Sequence, residues 1–407
     1  MPANKPKIAF LVNDIDKGGT AVSTGLLVKN IDREKFRVVV VACGPGPEAA
    51  KIGALADEYH NLIIGSYRPL RKIVNGRERE NYLARFYLII WLTKCIWRLN
   101  KWLRKEHIDI IHSSSGQYNL IGGIAGRLAG VPSVWHIRAP QKMALRRGGA
   151  LLGDGYLASW LAVMFIANSY FTAGTFHKSW KKKTAVVWNA INTEDIITHQ
   201  RPGQLRIIAK IPENKKLVGL LALIEHRKGI DRFISMAAKL AQKRDDVRFV
   251  VVGGDVGQKE ISQAVKTDLL KQAETLGITD KLCFTGHIDK APYYLTDMQI
   301  FFMCSLPGTE TFGLVVIEAM AAGVPVVAFN NDAMNEIIVD GKTGYLVPEG
   351  NIELAAERIT SILDNNSLAD DMKKAALNRV KTHFDIPVLI DNIQKQYAAI
   401  LRAAGKL

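Results

Sequence analysis

Two glutamates, Glu310 and Glu318, stand eight positions apart in TETFGLVVIEAMAAGVPVVA, residues 309–328. The stretch predicts a loop, then a helix opening near Phe312 or Gly313. Over a helix, eight residues turn about 800° and rise about 12 Å, which puts both carboxylates on roughly one side. Carboxylates accept hydrogen bonds well from vicinal hydroxyls. Between them, the backbone N–H groups of Phe312, Gly313 and Leu314 at a helix start suit a phosphate. One glutamate can therefore hold a sugar and the other a ribose, with a diphosphate between. An acidic residue that favours the helix dipole would explain Glu310 without any ligand. Packing gives no such account of Glu318, which is flanked by Val315, Val316, Ile317, Ala319 and Met320.

Three other loops carry candidate chemistry. In NDIDKGGTAV (13–22), Gly18 and Gly19 fall where a strand turns into a helix. Glycines there let backbone approach an anion, although an ordinary tight turn explains the pair equally well. Asp14 and Asp16 form a DxD with no histidine or third carboxylate nearby, so no metal is expected. In IEHRKGIDRFISMAAKL (224–240), Arg227 and Lys228 precede a helix start. Cations oppose the dipole there unless an anion is bound, and a phosphate resolves the conflict. VPSVWHIRAP (131–140) places His136 and Arg138 at a strand end. A lone histidine there is more often structural.

The elements that must position these loops are short β-branched runs alternating with helices. In the first half the strands are expected at 7–12, 37–43, 108–113, 133–137, 164–169 and 184–189. In the second half they are expected at 217–224, 247–254, 282–286, 298–304, 325–329 and 344–348. Continuous apolar strands between helices mean parallel sheets covered on both faces. The fold class is α/β, with two Rossmann-like doubly wound domains facing a cleft, and ligands bind outside the carboxyl ends of such strands. The polar, proline-bearing stretch at 190–212 marks the boundary. It separates a first domain, 1–200, from a second, 201–385, and residues 386–407 form a terminal helix returning toward the first domain.

The chain has 407 residues, 48% hydrophobic and 23% charged, which fits a folded protein of two or three domains. Four scattered cysteines with no CxxC pair argue against a zinc ribbon or disulfide framework and fit a reducing compartment. The apolar run at the N-terminus is too short for a signal peptide. The net charge of +15 is uneven: residues 1–200 hold 28 Lys and Arg against 14 Asp and Glu. An anionic partner for that half is expected. Residues 85–105 alternate Trp91, Trp97 and Trp102 with Arg98, Lys101 and Arg104, a pattern suited to a headgroup interface or to a core-facing helix with a basic exterior. The segment 142–161 mixes the same residue types. No apolar run reaches the ~20 residues of a spanning helix.

Taken together, these motifs resemble the retaining GT-B glycosyltransferases known as glycosyltransferase family 4. The resemblance is carried by KGID (228–231), FTGHID (284–289), ETFGLVVIEAMAAGVPVVA (310–328) and GKTGYLVP (341–348). In the first half KGGTAVST (17–24), IDIIHSSS (108–115), VPSVWHI (131–137), IANS (166–169) and VVWNAIN (186–192) match more loosely. The resemblance implies that Glu310 contacts donor-sugar hydroxyls and Glu318 the ribose. It implies that Phe312, Gly313 and Leu314 meet sugar and phosphate through backbone, and that Lys228 neutralises the diphosphate. Gly19 would lie under that diphosphate and His136 near the donor sugar, with no metal. One departure is Leu223, where the family usually has an arginine; Arg227 is the candidate replacement. Another is Cys304, where a proline is usual.

The expected activity is transfer of a sugar from a UDP- or GDP-linked donor, with retention, to a lipid-linked or anionic glycan. The site is expected on the cytoplasmic face of an anionic membrane. The rival readings are a GT-B enzyme of other chemistry, an epimerase or a phosphorylase, and a basic nucleic-acid-binding module. Against the last, the aromatics form no RNA-binding motif.

Overall fold

A computed structural model describes residues 5–12, 19–43, 46–62, 71–74, 77–80, 82–114, 116–140, 155–254 and 259–407. The chain divides into two compact units: residues 1–187 with 389–407, and residues 188–388.

The first unit holds a seven-stranded sheet in the order β3-β2-β1-β6-β7-β8-β9. Its strands are β1 (Lys7–Val12), β2 (Arg37–Ala42), β3 (Glu58–Asn61), β6 (Ile110–Ser113), β7 (Ser133–Ile137), β8 (Met164–Ala167) and β9 (Thr184–Val186). All pairings in this sheet are parallel. A separate antiparallel hairpin joins β4 (Arg71–Val74) to β5 (Arg77–Glu80). The central strands read as apolar runs because helices cover both faces. β3, with the sequence EYHN, escapes a search for such runs: it is an edge strand, paired only to β2 and partly solvated.

The second unit repeats the plan with six parallel strands in the order β12-β11-β10-β13-β14-β15. These are β10 (Lys216–Leu221), β11 (Val247–Val252), β12 (Leu282–Gly286), β13 (Ile300–Met303), β14 (Val326–Phe329) and β15 (Tyr345–Val347). A typical cover is the helix Ile230–Lys243, which buries Phe233, Ile234, Ala237, Ala238 and Leu240 at three- and four-residue spacing.

In both sheets the strand order reverses beside the first strand. The reversal falls between β1 and β6 in one unit and between β10 and β13 in the other. Such switch points open a crevice at the carboxyl edge, where doubly wound folds bind ligands.

One boundary differs from the sequence expectation. Residues 188–200 belong to the second unit, not the first. Ile191 and Ile196 are buried in that unit's core with Leu205 and Phe384, and the Trp188 indole donates to Glu336 at 2.8 Å. The terminal helix, Ile386–Ala403, passes from the second unit into the first near residue 389. It buries Leu389, Ile393, Tyr397 and Ile400 there, and Gln394 accepts from the Asp32 backbone N–H at 2.9 Å.

Candidate active site

The switch point of the second unit brings together two loops that are far apart in sequence. The loop after β10 ends in a short turn, His226–Lys228, and then Gly229 in the left-handed region at φ 65°. A Cβ on Gly229 would lie 2.0 Å from the Cys304 carbonyl oxygen, so the two loops meet backbone to backbone. Leu306 N–H donates to Arg227 O at 2.9 Å, and Cys304 Sγ donates to Lys228 O at 3.6 Å. Cys304, which departs from the family pattern, is thus part of the seam.

Across that seam Lys228 Nζ donates to Glu310 Oε2 at 2.7 Å. The two side chains are only 14% and 16% exposed. Glu310 is held from behind by Asp332, in the loop after β14. The Asp332 carboxylate accepts from the N–H groups of Gly308, Thr309 and Glu310 at 2.6, 3.0 and 2.9 Å. Sequence reasoning missed Asp332. Its only local signal is the polar run Asn330-Asn331-Asp332 ending in a residue at φ 50°, which Asn and Asp tolerate best.

The following helix runs Leu314–Ala321 behind an N-cap Gly313 at φ 102° that offers no side-chain cap. The N–H groups of Phe312, Gly313 and Leu314 have no hydrogen-bond acceptor among the described residues. The Phe312 ring is buried against Phe384, so this residue offers the site its backbone alone. Glu310 precedes the helix by four residues, so the helical spacing expected between the two glutamates does not apply. The loop clamp of Asp332 sets its position instead.

Glu318 lies within the helix, half-buried, and its carboxylate has no ion pair or hydrogen-bond partner among the described residues. Desolvation pushes its carboxyl from the usual 4.5 up to about 7. The folded protein therefore holds a proton there that the unfolded chain releases near pH 4.5. Stability from the neutral form is complete below that value and is lost as pH rises through about 7. Glu318→Gln is expected to melt higher than wild type at pH 8.5, by roughly 1–3 kcal/mol. The difference should vanish near pH 4, and parallel melting curves across that range would refute the unpaired carboxyl.

Arg227, the candidate second cation, has a neighbouring carboxylate as its partner. Its guanidinium is bonded to Glu225, two residues back. Leu223 leaves its position without charge.

In the first unit, Gly19 opens the helix Gly19–Asn30 and is exposed. Gly18, Asp14 and Asp16 lie outside the described residues, as does 142–154 of the second aromatic patch. His136 is fully buried near the end of β7, with Nδ1 3.3 Å from His112 Nε2 and 3.3 Å from Arg138 Nη2.

The helix Tyr82–Lys105 divides the aromatic residues expected at a membrane. Trp91 and Trp102 are buried with Cys95, Leu99 and Leu103, so they pack the core and are not available to a surface. The four-residue and eleven-residue steps from Trp91 put all these residues on one face. The opposite face keeps Phe86, Ile89 and Trp97 at 62%, 62% and 63% exposed. Lys94 and Arg98 are exposed with them, and Lys101 Nζ lies 5.7 Å from the Trp97 ring centroid. Arg98 reaches the Leu62 carbonyl and Arg104 the Leu128 carbonyl. Among the described residues one set, Glu58, His60 and Glu106, has metal-ligating atoms within 4.8 Å of one another. Arg37 Nε sits 2.6 Å from Glu58 and His60 is bonded to the same carboxylate, so its lone pairs are already engaged.

Two doubly wound parallel domains, one presenting a lysine–carboxylate pair and unpaired N–H groups at its switch point, fit the GT-B fold. Residues 17–195 match the model of Glycosyltransferase Family 4 and residues 204–379 that of Glycosyl transferases group 1. The chain belongs to glycosyltransferase family 4, a retaining family, and is a transferase of sugars. It is similar to a phosphatidyl-myo-inositol mannosyltransferase of Mycobacterium leprae, 25% identical over 76% of this chain and 78% of that protein. It is also similar to the UDP-Gal:alpha-D-GlcNAc-diphosphoundecaprenol alpha-1,3-galactosyltransferase of Escherichia coli, 24% identical over 83% and 88% of the two chains. The solved structure of Anabaena Alr3699/HepE in complex with UDP superposes with a TM-score of 0.78 at 20% identity, covering 97% of this chain and all of that one.

Proposed function

We propose that the protein transfers a sugar from a uridine or guanosine diphosphate donor to a lipid-linked, phosphate-bearing acceptor, with retention and without a metal. The observation that carries this reading is the Lys228–Glu310 pair at the switch point, beside the unpaired N–H groups of Phe312, Gly313 and Leu314. Lys228 Nζ has three protons and spends one on Glu310, so two remain for diphosphate oxygens. Glu310 Oε1 remains for a sugar hydroxyl, and Glu318 for the ribose. As the bond from the anomeric carbon to the phosphate oxygen breaks, the acceptor oxygen bonds to that carbon on the same face. The acceptor's proton passes to the departing phosphate. No enzymic nucleophile is required, and the charge growing on the diphosphate is met by Lys228 and the helix-start N–H groups. The two relatives, an inositol-phospholipid enzyme and a diphosphoundecaprenol enzyme by name, support the lipid-phosphate acceptor.

Thermal stabilisation by a panel of nucleotide sugars tests the donor, since a ligand held at 100 times its Kd adds about 2.7 kcal/mol. Product analysis with the stabilising donor, labelled in the sugar, then tests transfer. Stabilisation by none of them would overturn the reading.

The enzyme works at the cytoplasmic surface of an anionic membrane in this reading. No helix among the described residues is long and apolar enough to cross one. The exposed face of Phe86, Ile89 and Trp97 with Lys94, Arg98 and Lys101 would lie in the headgroup layer. Each lysine or arginine there contributes about 1 kcal/mol of attraction to anionic lipid. Lys94→Glu with Lys101→Glu is therefore expected to weaken binding to phosphatidylglycerol vesicles at low salt by roughly tenfold or more. Wild type floating free of those vesicles would remove the membrane assignment.

A further inference from the structure

Four side chains of the first unit form one buried hydrogen-bonded chain ending in an unpaired group. The Tyr397 hydroxyl lies 2.7 Å from His112 Nδ1, and His112 Nε2 lies 3.3 Å from His136 Nδ1. Arg138 Nη2 lies 3.3 Å from the same His136 nitrogen, while its Nη1 donates to Thr24 Oγ1 at 3.2 Å.

The donor inventory orients the chain. A guanidinium only donates, so His136 Nδ1 accepts and the ring carries its proton on Nε2. His112 meets the same lone pair with its own Nε2, which must then be N–H. Its Nδ1 accepts in turn, and Tyr397 donates. Burial, with Arg138 adding to it, keeps both rings neutral: His112 is lowered from 6.5 to about 3 and His136 well below its usual value. Phe10 stacks on His112 with ring centroids 4.9 Å apart, which holds the imidazole in plane.

The chain ends at His136 Nε2, buried and without a hydrogen-bond partner among the described residues. Leaving a buried N–H unpaired costs about 1–3 kcal/mol, a cost that an incoming acceptor removes. His136 is the fourth of the five residues of β7, near the carboxyl edge where this kind of sheet takes its ligand.

We propose that Tyr397, acting through His112, and Arg138 are positioning residues that lock His136 in the Nε2–H tautomer as a neutral donor to a substrate oxygen. The oxygen belongs to a hydroxyl or phosphoryl group of the sugar-transfer substrate, so this assignment rests on the activity proposed above. The terminal helix thereby supplies part of the first unit's site: Tyr397 is 285 residues from His112. A neutral donor suits this place because it orients an oxygen without adding a charge to a ring beside Arg138.

The test is Tyr397→Phe in the full chain, which removes the hydroxyl and keeps the ring packed on Phe36 at 5.9 Å. Imidazole nitrogen NMR of wild type should show His136 protonated on Nε2 and bare on Nδ1. In Tyr397→Phe the His136 and His112 signals should move toward a mixture of tautomers. Melting should drop by a few degrees, because His112 Nδ1 loses its buried donor; nucleoside diphosphate affinity should stay near wild type, while turnover falls roughly tenfold, a barrier change of about 1.4 kcal/mol. His136→Gln, whose amide N–H reaches about as far as Nε2, should keep more turnover than His136→Asn. Wild-type His136 protonated on Nδ1, or ring signals unmoved by Tyr397→Phe, would overturn the relay. A wild type that turns over no nucleotide sugar but shows the expected tautomers would instead sink the transfer reading and leave the relay standing.

Discussion

Lys228→Ala is expected to lower turnover by about 10²–10³-fold, the range seen when one pre-organised group facing developing charge is deleted. Lys228 is the cation of its loop that reaches Glu310, while the neighbouring Arg227 is bonded to Glu225 and Leu223 carries no charge. The same substitution leaves Glu310 without its cation. For a fully buried pair that would cost 3–5 kcal/mol, but this pair keeps some solvent, so about 1–2 kcal/mol is expected. The protein should remain folded, with weaker affinity for nucleoside diphosphate. Glu310→Gln keeps an acceptor for Lys228 Nζ and loses the carboxylate. Its turnover should fall by roughly 10–100-fold while nucleoside diphosphate affinity changes little. Turnover with a labelled donor and calorimetric binding of the free diphosphate measure both effects. Wild-type turnover in both variants would move the active site elsewhere.

Gly229→Ala is expected to be the most damaging single-methyl substitution at the site. Two costs add there. A left-handed φ of 65° costs any L residue with a Cβ about 1–2 kcal/mol. The new Cβ would also stand 2.0 Å from the Cys304 carbonyl oxygen, a backbone atom at the end of β13 that cannot rotate away. The loop must shift, taking with it the Arg227 and Lys228 carbonyls that accept from Leu306 and Cys304. A loss of about 3 kcal/mol or more is expected, lowering the melting temperature by roughly 6–12 °C for a unit of this size. Gly277→Ala is the control: its φ is 67°, but nothing lies within 4 Å of the added Cβ. That variant should lose only the conformational cost and retain donor binding. Equal losses in the two would mean that the close approach to Cys304 has no energetic weight.

Local signals located most of the fold. All twelve expected strands end within three residues of the observed ones, because a strand buried on both faces must be an apolar β-branched run whatever its neighbours are. The edge strand β3 and the hairpin escaped, since solvated strands need no such run. Glu318 was conspicuous for the same local reason. A carboxylate inside an apolar helix is costly to ionise, and its raised pKa of about 7 is that cost.

What the chain cannot display locally is which distant residues meet. Lys228 and Glu310 are 82 residues apart, and they meet because β10 and β13 are neighbours at the point where strand order reverses. Asp332 clamps the Glu310 loop only because β14 follows β13 in the sheet. Trp91 and Trp97 have the same side chain on one helix, and helical phase against a particular core decided that one is buried and the other open. Composition and periodicity by themselves determined two parallel α/β domains. Tertiary structure alone decided the distant partners: Glu310 for Lys228, and Tyr397 for His112. Secondary structure follows from local periodicity and propensity, whereas partner choice depends on strand order and packing between segments far apart in sequence.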